Sequence, residues 1–272
     1  MPVIQAEKIT YLPSGGRECG VTNVSFEVEK GKLTVILGSD NSGKTTLVRM
    51  MNALILPQSG KMTVCGMETA DKGKLREIRK SCGVIFSEQR ELFYTGCIAD
   101  EMRFSLRCAG LDRKASQEAY ERAEALCQTA PYKAVPFSQL NELQILSGAA
   151  AARLVTSPEV LVFDGVTSAL TKTERADFFR LLGSLTAEGK AVILTTSDAE
   201  DAVYADRVIL MCKGEKPAEG SAWKILTDRE LLRKADIEPP FAVRVYYDLL
   251  DADARLREIP LTMEELVKEI CR

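Results

Sequence analysis

The stretch "GSDNSGKTT" (Gly38–Thr46) constrains the fold more than any other part of the chain. It fits G-x-x-x-x-G-K-[ST] and lies between an apolar strand-like run, "LTVIL" from Leu33, and a helical pattern. Gly38 and Gly43 let the backbone turn tightly, so that the N–H groups of Ser39, Asp40, Asn41 and Ser42 can point at phosphate oxygens. The N-terminus of the following helix adds its positive end. Lys44 is placed to reach the outer phosphates and Thr45 to offer a hydroxyl to Mg²⁺, with Thr46 closing the motif.

The surrounding pattern agrees with a parallel sheet covered by helices. Val24, Phe26 and Val28 alternate as in a strand, and a Lys30-Gly31 turn leads to Leu33. Leu47, Val48, Met50, Met51, Leu54 and Ile55 fall on one helical face until "LPQSG" (Leu56–Gly60) breaks it. Residues 109–127 read as an amphipathic helix with a charged outer face. Strands return at Val160–Phe163 and at "AVILTT" (Ala191–Thr196). In "VLVFDGVTSAL" (Val160–Leu170) one carboxylate, Asp164, stands at the mouth of a buried strand and Gly165 follows it. From about Thr227 the composition changes. "EPPFAVRV" reads as a linker, and Thr262 with Glu265 makes a capping box for a terminal helix, with Leu261 and Leu266 as a staple.

Composition narrows the partners. The 272 residues carry a net charge of −3, which leaves no basic footprint for nucleic acid. No run approaches the 18 or so apolar residues that would span a membrane. Glu7 and Lys8 interrupt the place where a signal peptide needs its apolar core. The expected setting is cytoplasmic, with any membrane role exerted through a partner. The 8 scattered cysteines form no C-x-x-C pair and read as reduced thiols. The chain has no histidine, so histidine cannot serve as a base or metal ligand anywhere in it.

With these motifs in place, the chain resembles the ATP-binding subunits of ABC transporters over about residues 3–225. The resemblance implies a P-loop NTPase of α/β class: a RecA-like core, an antiparallel β segment and a helical subdomain at about 88–153. The cassette then spans 1–226 and a C-terminal extension 227–272. It also implies ATP and Mg²⁺ as ligands, Asp164 as the Walker B aspartate that holds Mg²⁺ with Thr45, and Tyr11 as the aromatic stacked on adenine. "FSEQRELFYTGCIADEMRFSL" (Phe86–Leu106) and the tail are similar to the energy-coupling factor group, which powers vitamin and metal uptake in prokaryotes. Members of that group pair with a second cassette. They dock at the cytoplasmic face of the membrane on a transmembrane energy-coupling subunit, which works with a substrate-binding membrane protein.

The chain departs from the family where the family hydrolyses ATP. The glutamate that polarises water is Gly165, the switch histidine is Ser197, and the glutamine of the loop into the helical subdomain is Ser87. Thr171 replaces the D-loop aspartate, and Asn41 replaces a loop glycine. "LSGAA" (Leu146–Ala150) looks like the family's L-S-G-G-Q signature. Family spacing, 18 residues before Pro158, points instead to "LNELQ": Leu140, Asn141, Glu142, Leu143 and Gln144. There Glu142 sets a negative charge, and Leu143 a bulky side chain, where the family presents glycine to a partner's γ-phosphate.

These substitutions together lead to one expectation: Mg-ATP binding retained, hydrolysis weak or absent, and work done beside another cassette. Two alternatives stand beside it. One is an active motor in which other groups, such as Asp198, Glu200 or a nearby water network, substitute for the missing ones. The other is a regulatory ATP-binding cassette without a transporter.

Overall fold

The computed structural model describes residues 2–13, 19–87, 93–252 and 257–271. Its strands are β1 (Pro2–Tyr11), β2 (Val21–Glu29), β3 (Leu33–Leu37), β4 (Ser59–Val64), β5 (Met67–Glu68), β6 (Cys82–Phe86), β7 (Val160–Asp164), β8 (Ala191–Thr196), β9 (Arg207–Cys212) and β10 (Glu215–Gly220). They form two sheets. One is antiparallel, in the order β2-β1-β4-β5. The other runs β10-β9-β3-β8-β7-β6, parallel except for β10.

The parallel strands are buried on both faces, which is why they read as continuous apolar runs. Alternate residues feed two separate cores. Ile36, Val160, Val162, Ile193 and Ile209 pack toward the antiparallel sheet and the first helix, α1 (Lys44–Met51). Leu33, Val35, Leu37, Leu161, Phe163, Val192 and Leu194 pack the other way, into a larger core with the helices that follow. Those helices are α2 (Leu75–Ser81), α3 (Ile98–Ala109), α4 (Arg113–Cys127), α5 (Glu142–Leu154), α6 (Lys172–Ala187), α7 (Ala199–Ala202), α8 (Ala222–Leu226) and α9 (Arg229–Lys234). Of these α2 lies on the first side instead, through Ile78. Helices α3–α5 fill most of the range read as a helical subdomain; residues 88–92, where that range begins, lie outside the described residues.

Three local expectations are corrected. The helix after the phosphate loop stops at Met51 rather than running to Ile55. Asn52 donates its side-chain amide to the Cys82 carbonyl, pinning the helix end to β6, and Ala53 turns to φ 51°. Leu54 is left half exposed. Residues 109–127 are not one helix: Gly110 adopts φ 69° as the C-cap of α3, and Asp112 caps α4 by accepting from the Ala115 N–H.

The supposed linker is helical. Pro240 stands at the N-cap of α10 (Phe241–Asp251), where its missing N–H is no loss, and Ala242, Val243 and Tyr246 bury one face. The last helix, α11 (Met263–Ile270), starts with the expected Thr262–Glu265 box. Leu266 joins Ala242 and Tyr246 in a small core of the tail, whereas Leu261 packs against the larger core. Leu232, Ala235 and Ile237 also belong to that larger core, so the packing changes after Ile237, about ten residues beyond the change in composition.

Candidate nucleotide site

At the C-terminal end of the parallel sheet, β3 leads into the loop and α1 leads out of it. This is where an open α/β sheet leaves a crevice for ligands. Gly38 is held by its N–H to the Thr196 carbonyl, 3.1 Å away. A Cβ on Gly38 would lie 2.4 Å from the Ser42 hydroxyl and 2.6 Å from the Met211 carbonyl, so only glycine fits. Gly43, at φ 100°, sits against the Gly20 carbonyl. Asn41 takes φ 60°, a conformation asparagine tolerates better than most residues.

The cleft has a volume of about 280 Å³ and is lined by the loop from Asp40 to Thr46, with Ser87, Asp164 and Gly165 on the facing strands. Lys44 folds back over the loop and donates to the Gly38 and Ser39 carbonyls at 2.7 and 2.8 Å. Burial holds its ammonium below the ordinary lysine range, with Asp40 and Asp164 acting the other way. Thr45 is exposed to the cleft. Thr46 is buried, and its hydroxyl donates to the Cys19 carbonyl at 2.7 Å.

Asp164 ends β7 and is nearly buried. Its Oδ1 accepts from the Thr195 hydroxyl at 2.5 Å. Among the described residues its Oδ2 has no hydrogen-bond donor. That oxygen and the Thr45 hydroxyl are hard donors of the kind Mg²⁺ prefers. Among the described residues no cluster of three or more acidic, cysteine or histidine side chains forms a self-contained metal site. The pair therefore suits a cation that also takes ligands from a phosphate.

The positions expected to handle water are differently placed. Gly165 has φ 65° and open space around its Cα. Ser87 is exposed and lines the cleft; Ser197 is exposed but is not part of the lining. Asp198 caps α7 and pairs with Arg175. Glu200 accepts from the Phe241 N–H at 2.5 Å. Neither carboxylate lines the cleft. Tyr11 is half-buried on β1, packs against the core beneath the antiparallel sheet, and lies outside this lining.

Helix α5 starts at Glu142. Asn141 is its N-cap, and Asn141 and Gln144 close a reciprocal box at 2.8 and 3.1 Å. "LSGAA" lies in the middle of the same helix, with Leu146, Ser147 and Gly148 buried. A Cβ on Gly148 would meet Ile98 at 2.6 Å, so this glycine lets α3 approach α5. Beside the helix start, Thr171 and the Leu143 N–H hold the Glu174 carboxyl below its usual range.

Three lining residues were not read from the sequence: Cys19, Arg49 and Thr195. Arg49 had a usable signal, since it lies four residues after Thr45 on the same helix face. Thr195 had none, being one more β-branched residue in a buried strand.

Comparison with known proteins agrees with this geometry. Residues 21–168 match the ABC transporter family. The energy-coupling factor transporter ATP-binding protein EcfA1 of Mycoplasmopsis synoviae is 30% identical over 269 residues, covering 96% of both chains. The EcfA1 of Halalkalibacterium halodurans is 29% identical, covering 97% of this chain and 95% of its own. Among solved structures, cbiO1 from Clostridium perfringens, part of the ABC transporter complex cbiONQ, superposes with a TM-score of 0.79 at 22% identity, over 92% of this chain and 99% of that one. A dimeric ATP-binding cassette bound to ADP and Pi superposes with a TM-score of 0.69 at 21% identity, over 80% of this chain and 98% of that one. The chain belongs to the ABC transporter family, as an ATP-binding cassette of the energy-coupling factor type.

Proposed function

We propose that this chain is the ATP-binding subunit of an energy-coupling factor importer for vitamins or metal ions, and that it binds Mg-ATP while hydrolysing it weakly or not at all. The observation that carries the reading is the pairing of Asp164 with Gly165. Loop, lysine, Thr45 and Asp164 converge on one cleft, yet the residue after Asp164 has no side chain to accept a proton from water. Among the described residues the cleft carboxylates are Asp164 and Asp40, and Asp40 belongs to the phosphate loop itself. Asp198 and Glu200, the candidate substitutes, are engaged with Arg175 and with α10.

Each remaining group has an assigned task. Lys44 leaves the Gly38 and Ser39 carbonyls and takes the outer phosphates. Thr45 and Asp164 would hold Mg²⁺. The metal would neutralise phosphate charge when bound. The amides of Asp40–Thr46 orient the phosphate chain. Tyr11, half-buried on β1, would stack on the adenine.

At the other surface, Asn141, Glu142, Leu143 and Gln144 form the end that would face a partner's nucleotide. The box uses the Gln144 N–H internally, and Glu142 and Glu174 add negative charge there. This favours pairing with a second, more complete cassette over a homodimer, and docking through partners at the cytoplasmic face of the membrane. Among the described residues no helix is long and apolar enough to cross a membrane.

The test is direct. Purified full-length protein is expected to bind Mg-ATP in calorimetry and to release phosphate at the background rate. Robust turnover by this chain alone, lost in Lys44→Ala, would overturn the reading.

A further inference from the structure

Strands β7 and β8 are neighbours, and their register sets Asp164 opposite Thr195. Thr195 is fully buried and lines the cleft together with Asp164. Its hydroxyl makes two contacts, 2.5 Å to Asp164 Oδ1 and 3.0 Å to the Gly165 nitrogen. The Gly165 N–H can only donate, so the hydroxyl accepts there, and its single proton is committed to the carboxylate. A hydroxyl donating to a carboxylate at this distance is a charge-assisted bond, among the stronger kinds in proteins.

The following threonine has a separate task. Successive side chains of a strand point to opposite faces. Thr196 donates to Asp201 Oδ2 at 2.7 Å and accepts from the Asp198 N–H at 3.0 Å. The two threonines therefore serve different carboxylates, and Thr196 cannot replace Thr195 at Asp164.

We infer that Thr195 is a positioning residue for the metal ligand. By holding Asp164 Oδ1 and the Gly165 N–H on one hydroxyl, it fixes the carboxylate so that Oδ2 alone is presented to Mg²⁺. It also anchors the left-handed turn at Gly165, so the last residue of the strand and the glycine after it move as one unit. The inference rests on the proposed binding of Mg-ATP.

The experiment compares ATP affinity in Mg²⁺ and in EDTA for the full-length wild type, Thr195→Val and Thr195→Ser. The metal-dependent gain in affinity is expected to fall roughly tenfold or more in Thr195→Val, the usual effect of removing a hydrogen-bond partner from a metal ligand. Affinity in EDTA is expected to hold, and Thr195→Ser to restore the gain. In an Asp164→Asn background, Thr195→Val is expected to have no further effect on that gain, since it acts through Asp164. Melting curves without nucleotide separate misfolding from mispositioning, and the serine variant carries the test should valine unfold the chain. A full metal-dependent gain in Thr195→Val overturns the inference alone. So does an equal loss in Mg²⁺ and in EDTA, or a serine variant as impaired as valine. A wild type that binds no ATP in either buffer overturns the proposed function as well.

Discussion

The two ends of the nucleotide cleft differ. At the loop end, the backbone geometry and the side chains support the same chemistry. Gly38 and Gly43 occupy positions that only glycine fits, and Lys44 and Thr45 stand at the start of a helix. At the Gly165 end, the backbone is hydrogen-bonded, but the position after Asp164 has no side chain to act as acid or base. Gly165 is held through its N–H to both the carbonyl and the hydroxyl of Thr195. The contrast teaches that hydrogen bonding alone does not mark a catalytic end. The loop lines the open cleft, whereas the Gly165 N–H is satisfied within the protein.

The comparison can be broken most forcefully at the loop. Lys44→Ala is expected to reduce ATP affinity about a hundredfold or more, since a charged hydrogen bond contributes roughly 1.5–3 kcal/mol and this lysine offers more than one. Calorimetry reads the loss, and unchanged affinity would mean that the loop is not the phosphate site.

Gly165→Glu probes the other end. Space is open there, but φ 65° strains any residue with a Cβ by about 1–2 kcal/mol. A lower melting temperature is expected together with phosphate release still at background. A large gain in turnover would show that one carboxylate was all the cleft lacked.

Asn141→Ala removes the cap of α5 and is expected to destabilise by about 1 kcal/mol while leaving this chain's own ATP affinity unchanged. Chemical denaturation and calorimetry on the same samples check both halves.

The smallest effect concerns Asp201, buried between Thr167, Thr196 and Arg175, whose carboxyl burial pushes above the ordinary value of 3.8. A raised native value means that the folded state holds the proton more tightly. Stability from this group is then greatest below about 3.8 and falls as pH rises through the native value. Asp201→Asn cannot titrate. Its stability relative to wild type should therefore improve from acid to neutral pH, and a pH-independent difference would contradict the assignment.

Local chemistry was legible in the sequence, and cross-chain chemistry was not. The phosphate loop, the capping box of α11 and the doubly buried strands each follow from a few adjacent residues. The bond from Thr195 to Asp164 depends on which strand lies beside which, and nothing near Thr195 reports that order. The tail was misread because Pro239 and Pro240 suggest extended chain, while the buried face of Ala242, Val243 and Tyr246 that decides for helix needs α11 to pack against. Periodicity carried the first helix too far because Leu54 and Ile55 fit the repeat, whereas the bond from Asn52 to distant β6 ends it.

The order of the parallel sheet also has a consequence for synthesis. Strand β3, which carries the phosphate loop, pairs only with β8 and β9, and Gly38 hangs from Thr196. As the chain leaves the ribosome at roughly 5–20 residues per second, β3 waits on the order of ten seconds for either neighbour. Throughout that interval the loop has no frame to hold it, so an unfinished chain cannot compete for nucleotide. A nucleotide site at this loop is then expected to form only late, once β8 and β9 pair with β3.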